Sequence, residues 1–168
     1  MNLVLARIDD RFIHGQVTVG WGQRLRPDLI LLANDEIADD PWQARIYAST
    51  VPPEVSVRVL GLAAAASVLL DPGNELAHHE RVFLLTGNPS DMHALVAMGV
   101  SLERINVGGM HFDAGKQEML PSVYVDRDDL AVFRTLLRRG VRVAAQTGPG
   151  GRETLLDDGL LAAVEARL

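Results

Sequence analysis

The 168 residues are enough for one domain with a filled hydrophobic core, and 48% of them are hydrophobic. Acidic residues outnumber basic ones by 22 to 16, which argues against a nucleic-acid partner, and the lack of cysteine excludes disulfides and thiolate metal sites. The chain starts with an apolar strand rather than a signal peptide, and no apolar run approaches the ~20 residues of a membrane helix. We therefore expect a single cytoplasmic domain over residues 1–168.

Short apolar runs alternate with helical patterns along the chain. Continuous apolar runs are typical of parallel strands that are covered on both faces, and they predict strands at residues 2–8, 29–33, 55–60, 81–85, 104–107, 122–125 and 141–145. Apolar spacing and capping residues predict helices at residues 16–25, 34–49, 62–70, 89–99, 126–140 and 153–168. Residues 110–118 have neither pattern, so we expect an irregular loop there.

This alternation predicts an α/β fold, with a three-layer, doubly wound, mostly parallel seven-stranded sheet and helices on both faces. Ligands of such sheets bind at the carboxyl ends of the strands. Three loops that follow predicted strands could therefore contribute to a ligand site, and they contain Asn34-Asp35, Thr86–Asn88 and Gly108-Gly109. Capping explains Asn34-Asp35, whereas paired glycines let a backbone approach a ligand, so Gly108 and Gly109 could line the site.

His14 lies between the end of the first strand and the start of a helix. A neutral imidazole has a lone pair that can attack phosphorus without a general base. The N-terminus of a helix offers unpaired N–H groups and a positive dipole end, both of which suit a phosphate. The N–H groups of Gly15, Gln16 and Val17 could hold phosphoryl oxygens. The position therefore indicates phosphoryl transfer through His14, although a helix-entry histidine without chemistry would have the same spacing.

Charged residues precede the histidine in the same loop. Arg11, three residues earlier, could neutralise the charge of a phosphoryl group with a bidentate contact. Asp9 or Asp10 could orient either Arg11 or the imidazole of His14. The two carboxylates could in principle hold magnesium, but we favour the orienting role.

Other motifs in the chain fail on spacing. Gly109 to Lys116 is one residue too long for a P-loop, and Gln117 stands where a magnesium-binding Ser or Thr is required. The segment Gly20–Gly22 lacks the third glycine of a dinucleotide-binding loop. We expect no metal and no cofactor, because no metal-ligand spacing connects the remaining histidines, which are His78, His79, His93 and His111.

The segment ARIDDRFIHGQV, Ala6–Val17, with Trp21 downstream, resembles the active-site loop of the mannose/fructose/sorbose-type enzyme IIB components of the bacterial phosphotransferase system. Members of that family typically read DDRLIHGQV followed by a tryptophan. The resemblance continues in order through NDEIADD, the Pro52-Pro53 turn, TGNPSD, INVGGM and VYVDRDDLAVFRTLLRRGVRV. It covers about the first 145 residues, and its DDR-x-IHGQ element is highly specific.

The resemblance implies a phosphocarrier of sugar transport, a protein-Nπ-phosphohistidine–sugar phosphotransferase without a cofactor. It implies that His14 is transiently phosphorylated, on Nδ1, with Asp9 and Arg11 as its catalytic neighbours. The phosphoryl donor would be an enzyme IIA protein. The acceptor would be a sugar such as mannose, sorbose or fructose, delivered by the membrane components IIC and IID. The protein would associate with the membrane peripherally, through IIC/IID.

The chain departs from the family pattern in two places. Phe12 stands where leucine is usual, and residues 148–168 match no pattern that we can identify, so they could reshape a sheet edge or a homo-oligomer contact. Two alternatives to the transport role stay open. One is an orphan IIB-like regulatory protein phosphorylated on His14, and the other is a non-catalytic small-molecule-binding α/β module.

Overall fold

The computed structural model describes residues 2–71 and 73–168. These residues form nine strands, which are β1 (Asn2–Asp9), β2 (Leu29–Ala33), β3 (Ser56–Leu60), β4 (Arg81–Thr86), β5 (Arg104–Gly109), β6 (Gln117–Leu120), β7 (Val123–Val125), β8 (Arg142–Ala145) and β9 (Thr154–Leu155). Seven of them form one sheet in the order β3-β2-β4-β1-β5-β8-β9. Only the edge strand β9 is antiparallel to its neighbour. The predicted mostly parallel seven-stranded sheet is confirmed, with β1 at its centre.

Helical segments connect the strands of this sheet. They are a π-helical segment (Gln16–Trp21) that continues as α1 (Gly22–Leu25), then α2 (Asp35–Ala38), α3 (Pro41–Ala48), α4 (Leu62–Leu70), α5 (Pro89–Ala97), α6 (Arg127–Arg138) and α7 (Asp158–Glu165). Side-chain oxygens of Asn34, Asp40, Asn88, Asp126 and Asp157 cap the helices that follow them. Among the described residues, no helix is long and apolar enough to cross a membrane.

The sheet has a different hydrophobic core on each face, because successive side chains of a strand point in opposite directions. The larger core buries one face of the sheet under α4 to α7, with contacts from Met92, Phe133 and Leu161. The smaller core buries the other face under the π-helical segment and α2, with contacts from Trp21 and Ile37. Helices therefore cover both faces, as predicted, and the loop after β1 begins between the two layers.

One predicted strand belongs to a different sheet. Residues 122–125 were expected in the main sheet, but Val123–Val125 pairs with Gln117–Leu120 in a separate antiparallel hairpin. The prediction of a loop over residues 110–118 is wrong at its end for the same reason. Pro121 and Ser122 join the two strands, and Ser122 has a φ of 66°. This tight turn favours local pairing over insertion into the parallel sheet.

Two predicted helices have different limits. The helix expected over residues 34–49 is split, because Asp40 caps a new helix whose first residue is Pro41. The helix expected over residues 153–168 starts only at Asp158, after the Asp157 cap. Its first residues instead contain β9, which pairs with β8 and supplies the seventh strand of the sheet.

Candidate functional site

Asp9 is the last residue of the central strand, and its side chain is fully buried. Its Oδ1 accepts hydrogen bonds from the Arg11 backbone N–H at 3.2 Å and from Arg11 Nε at 3.0 Å. Its Oδ2 accepts from Arg7 Nη2 at 2.9 Å and from Arg11 Nη2 at 3.1 Å. The same Oδ2 lies 3.0 Å from His14 Nε2. One carboxylate therefore joins two guanidinium groups and an imidazole.

The turn between Asp9 and His14 brings the histidine back over the strand end. Phe12 N–H donates to the Asp9 carbonyl at 2.9 Å, and Phe12 has a φ of 56°, in the left-handed region that a bulky residue seldom adopts. Packing holds it there. Its ring lies against Gly87, where an added Cβ would be 2.6 Å from Phe12 Cζ, and it meets Tyr47 edge-on at 5.8 Å. Gly87 of the TGNPSD motif thus makes room for Phe12.

The contact with Asp9 determines which nitrogen of His14 is free. A neutral imidazole that donates Nε2–H to Asp9 keeps its lone pair on Nδ1. Nδ1 has no hydrogen-bond partner in residues 2–71 and 73–168, and it is not among their buried unpaired polar atoms. The side chain is 20% exposed, because its Nε2 edge rests on the buried carboxylate. The geometry therefore leaves the lone pair of Nδ1 without a partner among the described residues.

The three backbone N–H groups after the histidine are not equivalent. Val17 N–H donates to the His14 carbonyl at 2.9 Å, so the prediction that it holds a phosphoryl oxygen is corrected. Gly15 and Gln16 are exposed, and no acceptor for their N–H groups lies within the described part of the chain. The Gln16 side chain also accepts from Arg11 Nη2 at 3.3 Å. Two of the three predicted phosphate-binding groups are therefore open.

Asp9 is held in its ionised form. Burial raises the pKa of its carboxyl, but hydrogen bonds from His14 and Arg11, together with the positive charge of Arg7, outweigh that effect. The result is a pKa below the ordinary value of an aspartate. Asp9 is therefore a negative charge and a hydrogen-bond acceptor at neutral pH, in contact with both Arg11 and His14.

Arg7 is the member of this cluster that we did not predict. It is fully buried within β1, and its guanidinium lies 5.7 Å from the Trp21 ring centroid. The signal was present in the sequence, because a charged residue inside the apolar run LVLARID requires a buried partner of opposite charge. The apolar residues of this run predict the strand, but they do not indicate the role of the arginine.

The glycine pair at the end of β5 accommodates the arginines. A Cβ on Gly108 would overlap the Arg7 guanidinium, and a Cβ on Gly109 would lie 2.9 Å from Arg11 Nη2. The strand register between β1 and β5 slips at this point, as Ile8 pairs with Val107 and Asp9 pairs with Gly109. The glycines thus lie beside the site as expected, but the groups that approach their backbone are side chains of the protein itself.

Asp10 has a separate role from Asp9. Its carboxylate accepts the His111 backbone N–H and lies 2.7 Å from His111 Nδ1. A cavity of about 320 Å³ opens beside these residues and is lined by Asp10, Arg11, Gly109, Met110, His111, Phe112, Ser122 and Tyr124. Of the two acidic candidates, the structure brings Asp9 to His14, whereas Asp10 ties the loop after β5 to the loop after β1.

The two remaining strand-end loops contain caps. Asn34 accepts Ile37 N–H at 2.9 Å and donates to Asp91 Oδ2 at 3.2 Å, and Asn88 accepts Asp91 N–H at 2.7 Å. Burial raises the pKa of Asp91, against the effect of these hydrogen bonds. In the described residues, no group of three or more His, Asp or Glu side chains is placed to hold a metal ion.

Comparison with known proteins gives a consistent set of relatives. The family model described as the PTS system sorbose subfamily IIB component matches residues 3–163. The sorbose-specific EIIB component of Lacticaseibacillus casei is 36% identical over 143 residues, covering 85% of each chain. The N-acetylgalactosamine-specific enzyme IIB component 2 of Escherichia coli K12 is 38% identical over 148 residues, covering 88% of this chain and 92% of that protein.

A longer relative and a solved structure extend this comparison. The mannose-specific EIIAB component of E. coli K12 is 38% identical over 143 residues, covering 85% of this chain but 43% of that protein. The crystal structure of the IIBSor domain of the Klebsiella pneumoniae sorbose permease has a TM-score of 0.84 at 33% identity, covering 92% of this chain and 93% of that one. The family match ends at residue 163, so it includes most of the C-terminal segment that we could not assign.

Proposed function

The chain belongs to the sorbose subfamily of phosphotransferase-system IIB components, and we propose that it carries a phosphoryl group on His14 Nδ1 between two partners. The first is a phosphorylated enzyme IIA. The second is a sugar presented by the membrane components IIC and IID, at the cytoplasmic face. The activity is that of a protein-Nπ-phosphohistidine–sugar phosphotransferase.

The observation that carries this proposal is the 3.0 Å contact between His14 Nε2 and Asp9 Oδ2. It keeps the ring proton on Nε2 and the lone pair on Nδ1, so the nucleophile needs no separate base. In the first transfer a bond forms between Nδ1 and phosphorus while the P–N bond of the donor breaks, and the donor ring recovers its lone pair. The phosphorylated ring keeps its Nε2 proton, and the positive charge of the ring faces Asp9.

The charges around His14 suit a phosphoryl group. Arg7 and Arg11 are both paired with the single carboxylate of Asp9, so the cluster has one excess positive charge while the imidazole is neutral. The Arg11 side chain is 33% exposed and can turn toward the phosphoryl oxygens. Phosphoryl transfer depends mainly on positioning and charge stabilisation, and a planar guanidinium supplies both. The open N–H groups of Gly15 and Gln16 would add hydrogen bonds.

The second transfer reverses the first. A sugar hydroxyl oxygen bonds to phosphorus, the bond between Nδ1 and phosphorus breaks, and Nδ1 recovers its lone pair. The hydroxyl proton leaves to solvent or to a base of the sugar-bearing partner. Because the P–N bond retains the transfer potential, no nucleotide is required at either step.

Two observations support a pair of protein partners. The E. coli relative named as a mannose-specific EIIAB component joins IIA and IIB functions in one name, and this chain matches 43% of it. The surface near His14 is also open, since Gly15, Gln16 and Val19 are exposed and Val19 exposes 58% of its area. An exposed site can meet two large partners in turn, as a relay requires.

The proposal is tested by mapping the label. The protein is incubated with phosphoenolpyruvate, enzyme I, HPr and a IIA protein, and the phosphorylated residue is identified under mild alkali. We expect label on His14 alone, none in His14→Ala, and a wild-type amount in the control His111→Ala, whose histidine also lies on a strand-end loop. Label on another histidine would disprove the site. Onward transfer to sugar in membranes that contain IIC/IID distinguishes the transport role from a regulatory phosphoprotein, which would be labelled without discharge to sugar.

A further inference from the structure

We infer that Arg7 is a positioning residue for this reaction, one that holds Asp9 in place so that Asp9 can hold His14. The inference depends on the proposed function for its rate measurements. Arg7 does not approach the reacting nitrogen itself, because its guanidinium is buried beneath Trp21 and shows no exposed surface. It acts through the carboxylate oxygen that it shares with His14.

The contacts of Arg7 fix its guanidinium from several sides. Nη1 donates to Asn106 Oδ1 and to the Gln146 carbonyl at 2.9 Å, and Nη2 donates to the Thr147 carbonyl at 2.9 Å. The remaining contact of Nη2 is Asp9 Oδ2, also at 2.9 Å. These three neutral acceptors, on β5 and on the loop after β8, therefore orient the guanidinium so that one Nη2–H bond of Arg7 points at Asp9 Oδ2. A planar fork held in this way has little freedom to turn.

The shared oxygen separates Arg7 from an ordinary buried ion pair. Asp9 Oδ2 is 2.9 Å from Arg7 Nη2 and 3.0 Å from His14 Nε2. A buried pair is weak evidence for a role in stability, because apolar residues of similar size are often as stabilising. The chain nevertheless keeps an arginine here, at a position where Gly108 must lack a side chain to admit it. The geometry is better explained by a need to fix Oδ2.

The two arginines have different tasks. Arg11 holds mainly Oδ1 of Asp9 and is one-third exposed, so it is the arginine that can turn to a phosphoryl group. When it turns, Asp9 loses the hydrogen bonds from Arg11 Nε and Nη2. Arg7 cannot follow, because it is enclosed, and its bond to Oδ2 persists. Asp9 therefore keeps its orientation, and His14 its free Nδ1, while Arg11 neutralises the incoming charge.

The test uses variants that remove or displace this guanidinium. Arg7→Met removes it, Arg7→Lys keeps the charge without the planar fork, and Gly108→Ala pushes it aside without changing any charge. Val107→Ala is the control, because Val107 is buried on the opposite face of β5, in the larger core. All four are compared at equal concentrations of folded protein, determined from thermal unfolding.

Two measurements are made on each variant. The first is the imidazole ¹⁵N spectrum of ¹⁵N-histidine-labelled protein, in which the Nε2 proton of His14 is followed by its exchange with water. The second is the single-turnover rate of phosphorylation from phospho-IIA, at increasing concentrations of that donor. The first measurement needs no phosphoryl donor, so it remains decisive for Arg7 even if the wild-type protein proves not to be phosphorylated, an outcome that would disprove only the proposed function.

We expect Arg7→Met and Gly108→Ala to expose the Nε2 proton to rapid exchange. The limiting rate should fall by about 10²-fold, the usual effect of misplacing a reacting group, with little change in the donor concentration at half-maximal rate. Arg7→Lys should recover part of the rate, and Val107→Ala should resemble the wild type in both measurements. Retention of the protected Nε2 proton and of the full rate in Arg7→Lys and Gly108→Ala would overturn the inference. Equal losses in Val107→Ala would do so too, since the effect would then be general destabilisation.

Discussion

Asp9 Oδ2 and His14 Nε2 lie 3.0 Å apart across the four residues that separate them in the sequence, and this contact connects the buried end of the central strand with the partly exposed histidine. Asp9 belongs to the sheet and is fully buried, whereas the His14 side chain is 20% exposed. The orientation of His14 is thus fixed by a buried residue at the end of the central strand. Residues that act at a site are most precise when ordered elements support them in this way.

Replacing Asp9 with asparagine should slow phosphorylation and also destabilise the protein. Asparagine keeps the size of the side chain but removes the charge that both arginines require, and unpairing a buried charge commonly costs about 3–5 kcal/mol. We expect a rate reduction of at least ~10²-fold, since the single amide oxygen of asparagine cannot accept from Arg7, Arg11 and His14 together and the imidazole loses its fixed orientation. The single-turnover rate and the thermal midpoint would be measured together. Asp10→Asn is the matched control, because Asp10 contacts His111 instead of His14.

The effect of Asp9→Asn on the free energy of unfolding should depend on pH. The pKa of Asp9 is lower in the folded protein than in the unfolded chain. Its contribution to the free energy of unfolding is therefore complete above the unfolded pKa, ~3.9, and is lost as the pH falls from there toward the folded pKa. The difference in unfolding free energy between wild type and Asp9→Asn should be constant from pH 7 to pH 5 and shrink below about pH 4. Urea titrations at a series of pH values measure it, and a constant difference down to pH 3 would contradict the assignment.

Arg11→Ala should reduce the rate more than the stability. If Arg11 contacts phosphoryl oxygens in the transition state, its loss should cost roughly 10²–10³ in rate, the usual effect of removing one preorganised donor. Arg11→Lys should recover only part, because lysine lacks the planar fork. Arg7 still pairs with Asp9 in these variants, so the thermal midpoint should fall less than in Asp9→Asn. A rate that falls only in proportion to the folded fraction would make Arg11 a structural residue.

Phe12 and Gly87 should be energetically coupled. An added methyl group at Gly87 would meet the Phe12 ring at 2.6 Å, and overpacking of this kind typically costs 1–3 kcal/mol. In the Phe12→Leu background the smaller side chain should relieve the overlap, so Gly87→Ala should cost less there than in the wild type. A double-mutant cycle of unfolding free energies would measure a coupling of roughly 0.5–3 kcal/mol. Additive effects would show that the two residues do not constrain each other.

The sequence predicts those parts of the site that depend on residues close together in the chain. The loop from Asp9 to His14 follows a buried strand, and its position at the carboxyl edge of the sheet follows from the strand and helix alternation. The Arg7 contacts could not be predicted in the same way, because their acceptors are residues 106, 146 and 147, which only tertiary folding brings near. The seventh strand was missed for a related reason. Thr154–Leu155 is too short to show the alternation of apolar and polar residues that predicts a strand, and it is recognised as a strand by its pairing with β8.

Gly109→Ala should act on Arg11 as Gly108→Ala acts on Arg7. Gly109 does not have a positive φ, so alanine costs no backbone strain there, but its Cβ would lie 2.9 Å from Arg11 Nη2. That atom is the far end of a flexible, partly exposed side chain, so the guanidinium should shift rather than the strand. We expect a thermal midpoint close to that of the wild type and a phosphorylation rate that falls in the same direction as in Arg11→Ala, by a smaller factor. Gly150→Ala is the matched control, because the space around Gly150 is open. If Gly109→Ala phosphorylates at the wild-type rate, the position that the Arg11 guanidinium holds before it turns to the phosphoryl group does not affect transfer.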